Sequence, residues 1–82
     1  MLNLKIYSKN DCHLCDIAKK ELNDLQNEIA FSITETDIEK DHEAFEKYKY
    51  LIPVIEIDGE IIFTGRIDRD RLKSALMQEY LP

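Results

Sequence analysis

The sequence has fewer basic than acidic residues and no long apolar run. Eleven lysines and arginines stand against seventeen aspartates and glutamates, so the net charge is −6 at pH 7. Such a charge argues against nucleic acid or an anionic membrane as the main partner, because both are negatively charged themselves. No apolar stretch approaches the roughly 20 residues that a membrane-spanning helix needs. We therefore expect neither a nucleic-acid-binding protein nor a membrane protein.

Linkers, internal repeats and low-complexity segments are also absent from the sequence. The 82 residues are enough for one domain, which we place over residues 1–82. A hydrophobic content of 44% supplies one modest core with little stability to spare. The segment from Met1 to Tyr7 lacks the long apolar stretch of a signal peptide, so we expect a cytoplasmic protein. We also expect a monomer.

The chain has two cysteines, and they lie three positions apart. The segment Cys12-His13-Leu14-Cys15 follows a short apolar strand and opens an amphipathic helix. Residues three apart share a helix face, so the two sulfurs can meet. A helix start offers unpaired N–H groups and a positive dipole end, and both favour the thiolate that attacks disulfides. The CxxC spacing at this position predicts a thiol–disulfide redox centre.

Two other uses of this cysteine pair stay open. A structural disulfide would close a loop of four residues and stabilise the fold by at most roughly 2 kcal/mol. A closed zinc site wants four ligands, whereas one CxxC supplies two thiolates. His13 lies inside the motif and cannot easily join the same ion, and His42 is the only other histidine. We predict no bound metal, and a copper- or zinc-binding module remains the alternative.

Hydrophobic periodicity and turn residues divide the chain into seven elements. In order, they are a strand over Leu2 to Tyr7, a helix capped by Asp11 or Cys12 and ending near Asn27, a strand over Ile29 to Asp37, a helix within Ile38 to Lys49 capped near Asp41, two strands over Ile52 to Ile57 and Glu60 to Thr64, and a last helix capped by Asp68. Asp58-Gly59 is a strong hairpin signal between the last two strands. The order β-α-β-α-β-β-α predicts an α/β protein: a parallel crossover followed by an antiparallel hairpin, in a mixed four-stranded sheet with three helices.

Apolar residues at helical spacing indicate which helix faces turn inward. In the first helix they are Cys15, Ala18, Leu22 and Leu25, with Leu14 beside them. In the last helix they are Leu72, Ala75, Leu76 and Met77.

This element order, with CxxC at the first strand-to-helix turn and Ile52-Pro53-Val54 opening the third strand, resembles the thioredoxin fold. More narrowly, the chain resembles the glutaredoxin-like group, and the resemblance spans nearly its whole length. The matching segments are Tyr7-Ser8-Lys9 before the cysteines, Tyr50-Leu51-Ile52-Pro53-Val54, and Asp58-Gly59. The resemblance implies a thiol–disulfide oxidoreductase acting on protein or small-molecule disulfides. It implies no tightly bound cofactor, glutathione as a candidate co-substrate, and a reductase as electron donor.

The resemblance also implies substrate-binding residues. Pro53 would follow a cis peptide bond and face the cysteines, and the backbone of Ile52 would pair with substrate as one rung of strand addition. Lys9, three residues before Cys12, matches the lysine that contacts the glutathione carboxylate in glutaredoxins. His13 and Leu14 stand where glutaredoxins usually carry proline and an aromatic residue, and Gly65 stands alone where they carry a glycine pair. The match to a glutathione site is therefore partial.

The two cysteines are expected to have different roles. Cys12 at the helix edge would be the nucleophile, and Cys15, one turn further in, would be the buried resolving thiol. A protonated His13 would stabilise the Cys12 thiolate, and a solvated His13 without that role is equally compatible with the sequence. A non-catalytic interaction domain on a thioredoxin fold is the remaining alternative, because fold does not dictate function.

A local basic cluster stands out on this acidic chain. Its members are Arg66, Arg69, Arg71 and Lys73. Such a cluster is usually a solvated helix face, but the predicted fold brings the loop with Arg66 close to the redox site.

Overall fold

The computed structural model describes residues 2–80 of the chain. Its elements follow the predicted order, with strands and helices of slightly different lengths. They are β1 (Asn3–Ser8), α1 (His13–Leu25), β2 (Ser32–Asp37), a short 3-10 helix (Ile38–Lys40), α2 (His42–Tyr48), β3 (Val54–Ile57), β4 (Glu60–Thr64) and α3 (Arg69–Ala75), which a π-helical segment (Leu76–Tyr80) continues. No helix among residues 2–80 is long and apolar enough to cross a membrane.

The four strands form one mixed sheet in the order β2-β1-β3-β4. β1 runs parallel to β2 and antiparallel to β3, and β3 runs antiparallel to β4. The parallel pair is joined through α1, whereas the antiparallel pair is joined by the Asp58-Gly59 turn. Both turn residues have positive φ, 51° and 83°, as the tight hairpin turn requires. The predicted mixed four-stranded sheet is confirmed.

The core lies between one face of the sheet and the helices α1 and α3. Alternate residues of β1, Leu4 and Ile6, are fully buried on this face, opposite Ile57 and Ile55 of β3. The buried stripe of α1 is the predicted one, Cys15, Ala18, Leu22 and Leu25, and α3 and its continuation add Leu72 and Leu76.

The second face of the sheet is partly covered by α2. Tyr7, which points away from the core, stacks on Tyr48 of α2 with ring centroids 4.6 Å apart. Asp41 caps α2 through its side chain, as predicted.

Two of the residues expected to face inward are exposed. Met77 is 55% exposed and Leu14 is 40% exposed. Met77 lies in the π-helical segment, where the residue spacing departs from that of an α-helix, so the stripe does not continue through it. Leu14 belongs to the first turn of α1, to one side of the buried stripe. Ala75 is half-buried.

β1 begins one residue later than predicted, and β2 and β3 begin two or three residues later. β2 starts at Ser32 because Ile29 still bonds back to the end of α1, through its N–H to the Leu25 carbonyl at 3.0 Å. Ile29 and Phe31 are buried, so their apolar character reflects core packing in the connection rather than strand pairing. β3 starts at Val54, the residue that pairs with Tyr7, because Pro53 has no N–H to donate.

Candidate redox site

Cys12 is the N-cap of α1. Its backbone is extended, with φ −119° and ψ 104°, and its Sγ accepts a hydrogen bond from the Cys15 N–H at 3.2 Å. The Cys12 carbonyl accepts the Asp16 N–H at 3.1 Å and begins the helical hydrogen bonding. Sγ of Cys12 thus caps the first turn of α1, where a hydroxyl or carboxylate oxygen more often accepts the backbone N–H.

The two cysteines form a disulfide, so the structure represents the oxidised protein. Their Cα atoms are 5.2 Å apart, within the usual range for disulfides. Cys15 is fully buried as the first residue of the apolar stripe of α1, whereas Cys12 is partly exposed. The pair is therefore asymmetric, with one sulfur accessible from solvent and the other enclosed.

The Ile52–Pro53 loop lies at the same end of the sheet. The peptide bond between these residues is cis, as the resemblance implies, and Pro53 is fully buried. Val54 pairs with Tyr7, so β3 begins beside the end of β1, the strand that leads to Cys12. The sheet register thus brings the two segments together, although about forty residues separate them in sequence.

Hydrogen bonds to Gly65 and Tyr48 hold this loop in place. The Gly65 N–H lies 3.0 Å from the Leu51 carbonyl and 2.8 Å from the Pro53 carbonyl, and it donates to both. The N–H groups of Leu51 and Ile52 donate to the Tyr48 carbonyl, at 2.8 Å and 3.1 Å. Gly65 has φ +70°, a conformation that side chains disfavour, which explains glycine at this position. We call the two hydrogen bonds that the Gly65 N–H donates the Gly65 clamp. The sequence does not predict this clamp, because hydrogen bonds between distant segments leave no local pattern.

The charged residues around Cys12 carry both signs. Lys9 is half-buried in the loop between β1 and α1, and His13 is exposed as the first residue of α1. Asp11 and Asp16 are exposed on either side of the motif. Lys9 and His13 are near Cys12 in the sequence, whereas the sheet register brings Ile52 and Pro53 to the same end of the sheet.

Tyr7 is half-buried on the face of the sheet that α2 covers. Burial, reinforced by a hydrogen bond with Glu56, raises the pKa of Tyr7 to about 12. The phenol therefore stays protonated at neutral pH. Tyr7 is a packing residue between β1 and α2, and the alternation of β1 already indicates that it points away from the core.

The four residues of the basic cluster have different surroundings, and Arg71 is exposed on α3. Arg69 and Lys73 both pair with Glu28, which follows α1, with Lys73 Nζ 2.7 Å from Glu28 Oε1. These contacts, led by the hydrogen bond from Lys73, lower the pKa of the Glu28 carboxyl. Arg69 and Lys73 thus tie α3 to the end of α1. Arg66 is exposed and directly follows Gly65, so it lies beside the Ile52–Pro53 loop.

Cys12 and Cys15 are the two cysteines of the chain, and in the disulfide their sulfurs are bonded to each other. Within residues 2–80, no three side chains of histidine, cysteine, aspartate or glutamate gather in a metal-binding arrangement.

The topology and the position of the cysteine pair define a thioredoxin-fold protein of redox type. Residues 3–77 match the family described as "Glutaredoxin-like domain (DUF836)". The match covers most of the chain, and the protein belongs to this glutaredoxin-like family.

Individual relatives agree with the family assignment. The chain is 36% identical over 77 residues to the "Glutaredoxin-like protein YDR286C homolog" of Dictyostelium discoideum, covering 87% of this chain and 71% of that protein. The structure of the X. campestris protein XcR50 superposes with a TM-score of 0.77 at 28% identity, covering 90% of this chain and 95% of the other. Oxidised thioredoxin O2 from Arabidopsis thaliana gives a TM-score of 0.70 at 20% identity, over 98% and 76% of the two chains. At that identity, the likeness to thioredoxin O2 shows the fold alone.

Proposed function

We propose that the protein is a thiol–disulfide oxidoreductase that exchanges disulfides of proteins or small molecules through Cys12 and Cys15. One observation carries this function. Cys12 is partly exposed and receives the Cys15 N–H at 3.2 Å, while Cys15 is fully buried in disulfide contact with it. An accessible sulfur at a helix N-terminus suits the attacking thiolate, and an enclosed partner suits resolution.

The catalytic cycle conserves two electrons and two protons. In the reduced protein, the Cys12 thiolate attacks one sulfur of a substrate disulfide, the S–S bond breaks, and the departing thiolate takes up a proton. Cys15 then attacks Sγ of Cys12 in the mixed disulfide, and its proton passes to the second departing substrate thiolate. The Cys12–Cys15 disulfide forms and the second substrate thiol is released. The protein is oxidised and the substrate is reduced.

The surrounding residues would orient the substrate. Ile52 commits its N–H to Tyr48 at 3.1 Å, so its carbonyl would accept the backbone N–H of a bound segment. Pro53 would pack against the disulfide. Lys9 and His13, on either side of Cys12 in sequence, would interact with the negative charge of substrate or thiolate.

The oxidised protein must be reduced again for turnover. Glutathione or a thioredoxin-type reductase would carry out this reduction in the cytoplasm. The protein would act as a monomer and without a tightly bound cofactor. Nucleic acid and membranes have no part in it.

Reduction of hydroxyethyl disulfide tests this function. The protein is assayed with glutathione and glutathione reductase, and separately with thioredoxin reductase, while NADPH consumption is followed. We expect turnover with at least one system and none with the Cys12→Ser variant. A wild-type protein as inactive as Cys12→Ser in both systems would refute the proposed activity and favour an interaction domain.

A further inference from the structure

β2 forms one edge of the sheet, and within residues 2–80 it pairs with β1 alone. The Ser32 N–H donates inward, to the Leu2 carbonyl just before β1, at 2.9 Å. Backbone groups of successive residues in a strand point to opposite sides, so those of Ile33 and Glu35 point outward. These two residues therefore offer the N–H and carbonyl groups that a further strand would use.

A groove of about 320 Å³ lies between β2 and α1 along this edge. Ile33 and Glu35 line the groove, because their side chains share the face of the sheet that carries their β1 partners, Leu4 and Ile6. The fully buried Leu22 lies beneath it. Polar side chains of α1 form the opposite wall: Lys19, Asn23 and Gln26. We call this groove, together with the outer backbone of β2, the edge groove.

The other edge of the sheet, β4, is less suited to further pairing. Its register with β3 is irregular, because Ile55 pairs with Phe63 whereas the next residue, Glu56, pairs with Ile61. Bulges, prolines and lysines are the features by which natural edge strands resist further pairing. β2 keeps a regular register with β1 over all six residues and contains neither proline nor lysine. The β2 edge is therefore the one that can accept an additional strand.

The charge of the edge groove specifies the incoming segment. Glu35 and Asp37 are both acidic and lie on the same face of β2. Lys19 Nζ lies 2.7 Å from Glu35 Oε1, yet the Glu35 side chain is still 49% exposed and can accept from a second cation. Basic side chains opposite Glu35 and Asp37, with an apolar one opposite Ile33, are complementary to this edge. A second copy would instead place acidic strands together, between chains of net charge −6.

We propose that the edge groove binds an extended segment of a partner protein, in which small polar residues alternate with one apolar and two basic residues. The segment would pair as a fifth strand, with its backbone bonded to Ile33 and Glu35. Its apolar side chain would pack on Ile33, and its basic side chains would contact Glu35 and Asp37. The groove runs beside the part of α1 that starts at Lys19, one turn beyond Cys15, so a bound partner leaves the cysteine pair free to react.

Short synthetic peptides test this interaction. The probe is a peptide with capped ends in which threonines alternate with one valine and two lysines. The edge accepts either strand direction, so the valine precedes the lysines in one peptide and follows them in another. Binding to the oxidised protein is followed by NMR titration of the backbone amides. We expect saturable binding of one peptide, weakened by salt, and about tenfold weaker binding when glutamates replace its lysines.

Amide hydrogen exchange distinguishes strand addition from other modes of binding. With saturating peptide, the N–H groups of Ile33 and Glu35 should exchange about tenfold more slowly, because they become hydrogen-bonded. The Thr34 N–H, which already points toward β1, should change little. N-methylation of the peptide at the residues that donate to β2 should weaken binding about tenfold. Slower exchange in β4 rather than β2 would contradict the proposal.

Matched variants locate the binding on β2. Glu35→Gln is compared with Glu60→Gln, and Ile33→Thr with Ile61→Thr, because each pair removes the same residue type from opposite edges of the sheet. Each β2 variant should bind the peptide about fivefold more weakly, and the β4 variants should bind as the wild type does. Thermal unfolding shows whether all four variants are folded.

The outcomes separate the edge groove from the exchange activity. No saturable binding of either lysine peptide, equal affinity for the glutamate peptide, or equal losses in the β2 and β4 variants would overturn the proposal. Sedimentation equilibrium of the protein alone tests the other occupant: a dimer that is lost in Ile33→Thr would show that a second copy fills the edge, and would also overturn it. Hydroxyethyl disulfide should react at the same rate with and without bound peptide.

Discussion

The Cys15 N–H donates a hydrogen bond to Sγ of Cys12 at 3.2 Å, and the two side chains differ in exposure. Cys12 is partly exposed at the start of α1, and Cys15 is fully buried one turn later. The same helical turn thus gives one sulfur a hydrogen-bond donor and solvent access and encloses the other. This asymmetry predicts different reactivities for two thiols only three residues apart.

In the reduced protein, iodoacetamide should label Cys12 faster than Cys15 near neutral pH, by about tenfold or more, because the enclosed thiol is less accessible to the reagent. Peptide mapping over time measures the two rates. Equal rates, or faster labelling of Cys15, would contradict the assignment of Cys12 as the nucleophile.

Trapping of mixed disulfides gives a second, independent prediction. The Cys15→Ser variant should accumulate a mixed disulfide through Cys12, because the first attack is intact and the resolving thiol is missing. The Cys12→Ser variant should trap almost nothing. Non-reducing electrophoresis with mass spectrometry measures both, and trapping through Cys15 alone would reverse the roles.

Metal content distinguishes the redox centre from a metal-binding module. We expect no stoichiometric zinc or copper in the reduced protein, because two thiolates are half of the ligands that a closed zinc site needs. Elemental analysis after purification under reducing conditions measures this. One tightly held metal per chain, absent from Cys12→Ser, would favour the metal-binding alternative.

Much of the fold can be predicted from local patterns in the sequence. The stripe Cys15, Ala18, Leu22 and Leu25 is buried as predicted, because helical spacing alone determines which side chains share a face. The apolar, β-branched side chain of Ile29 predicts a strand, but Ile29 is buried in a connection and its N–H donates back to α1. The spacing of apolar residues indicates which residues are buried, but it does not distinguish a strand from a buried connection of the same composition.

For the redox site, too, only part of the geometry can be predicted from local sequence. The CxxC motif and its position at a helix start are local and readable. The clamp of Gly65 on the carbonyls of Leu51 and Pro53 joins segments that only the sheet register brings together. The exposure of Leu14 and Leu51 cannot be predicted from the sequence either, because leucine side chains are usually buried.

Gly65 provides a test of that clamp. A Cβ at Gly65 would meet no atom within 4 Å, so Gly65→Ala adds backbone strain at φ +70° without a steric clash. We expect a loss of about 1 kcal/mol in the free energy of unfolding and a slower exchange reaction, because relief of the strain shifts the N–H away from Leu51 and Pro53. Denaturant unfolding and the hydroxyethyl disulfide assay measure the two effects.

Gly59→Ala is the matched control, because Gly59 has φ +83° and open space around its Cα but lies in the hairpin turn away from the cysteines. It should lose similar stability and keep its exchange rate. If both variants exchanged as fast as the wild type, the clamp would be unnecessary for positioning the loop.

A polar contact between α1 and the sheet edge predicts the response to acid. Ser8, which is buried at the end of β1, donates to Glu35 Oε1 at 3.2 Å, and Lys19 Nζ lies 2.7 Å from the same oxygen. The hydrogen bond from Lys19, with a smaller one from Ser8, lowers the pKa of Glu35 below its ordinary value of 4.5. The carboxylate is therefore better stabilised in the folded protein than in the unfolded chain.

Because the folded-state pKa is the lower one, the contribution of Glu35 is fully present above about pH 4.5 and is lost as the pH falls through the folded value. Glu35→Gln should cost about 0.5–1 kcal/mol at pH 7, the upper part of the range for partly exposed ion pairs. The difference from wild type should shrink as the pH falls below 4.5. Urea unfolding at several pH values measures it, with Glu43→Gln as control, since the Glu43–Lys47 pair on α2 is more exposed and should contribute less. A difference that stayed constant down to pH 3 would show that the ionised carboxylate of Glu35 does not stabilise the fold.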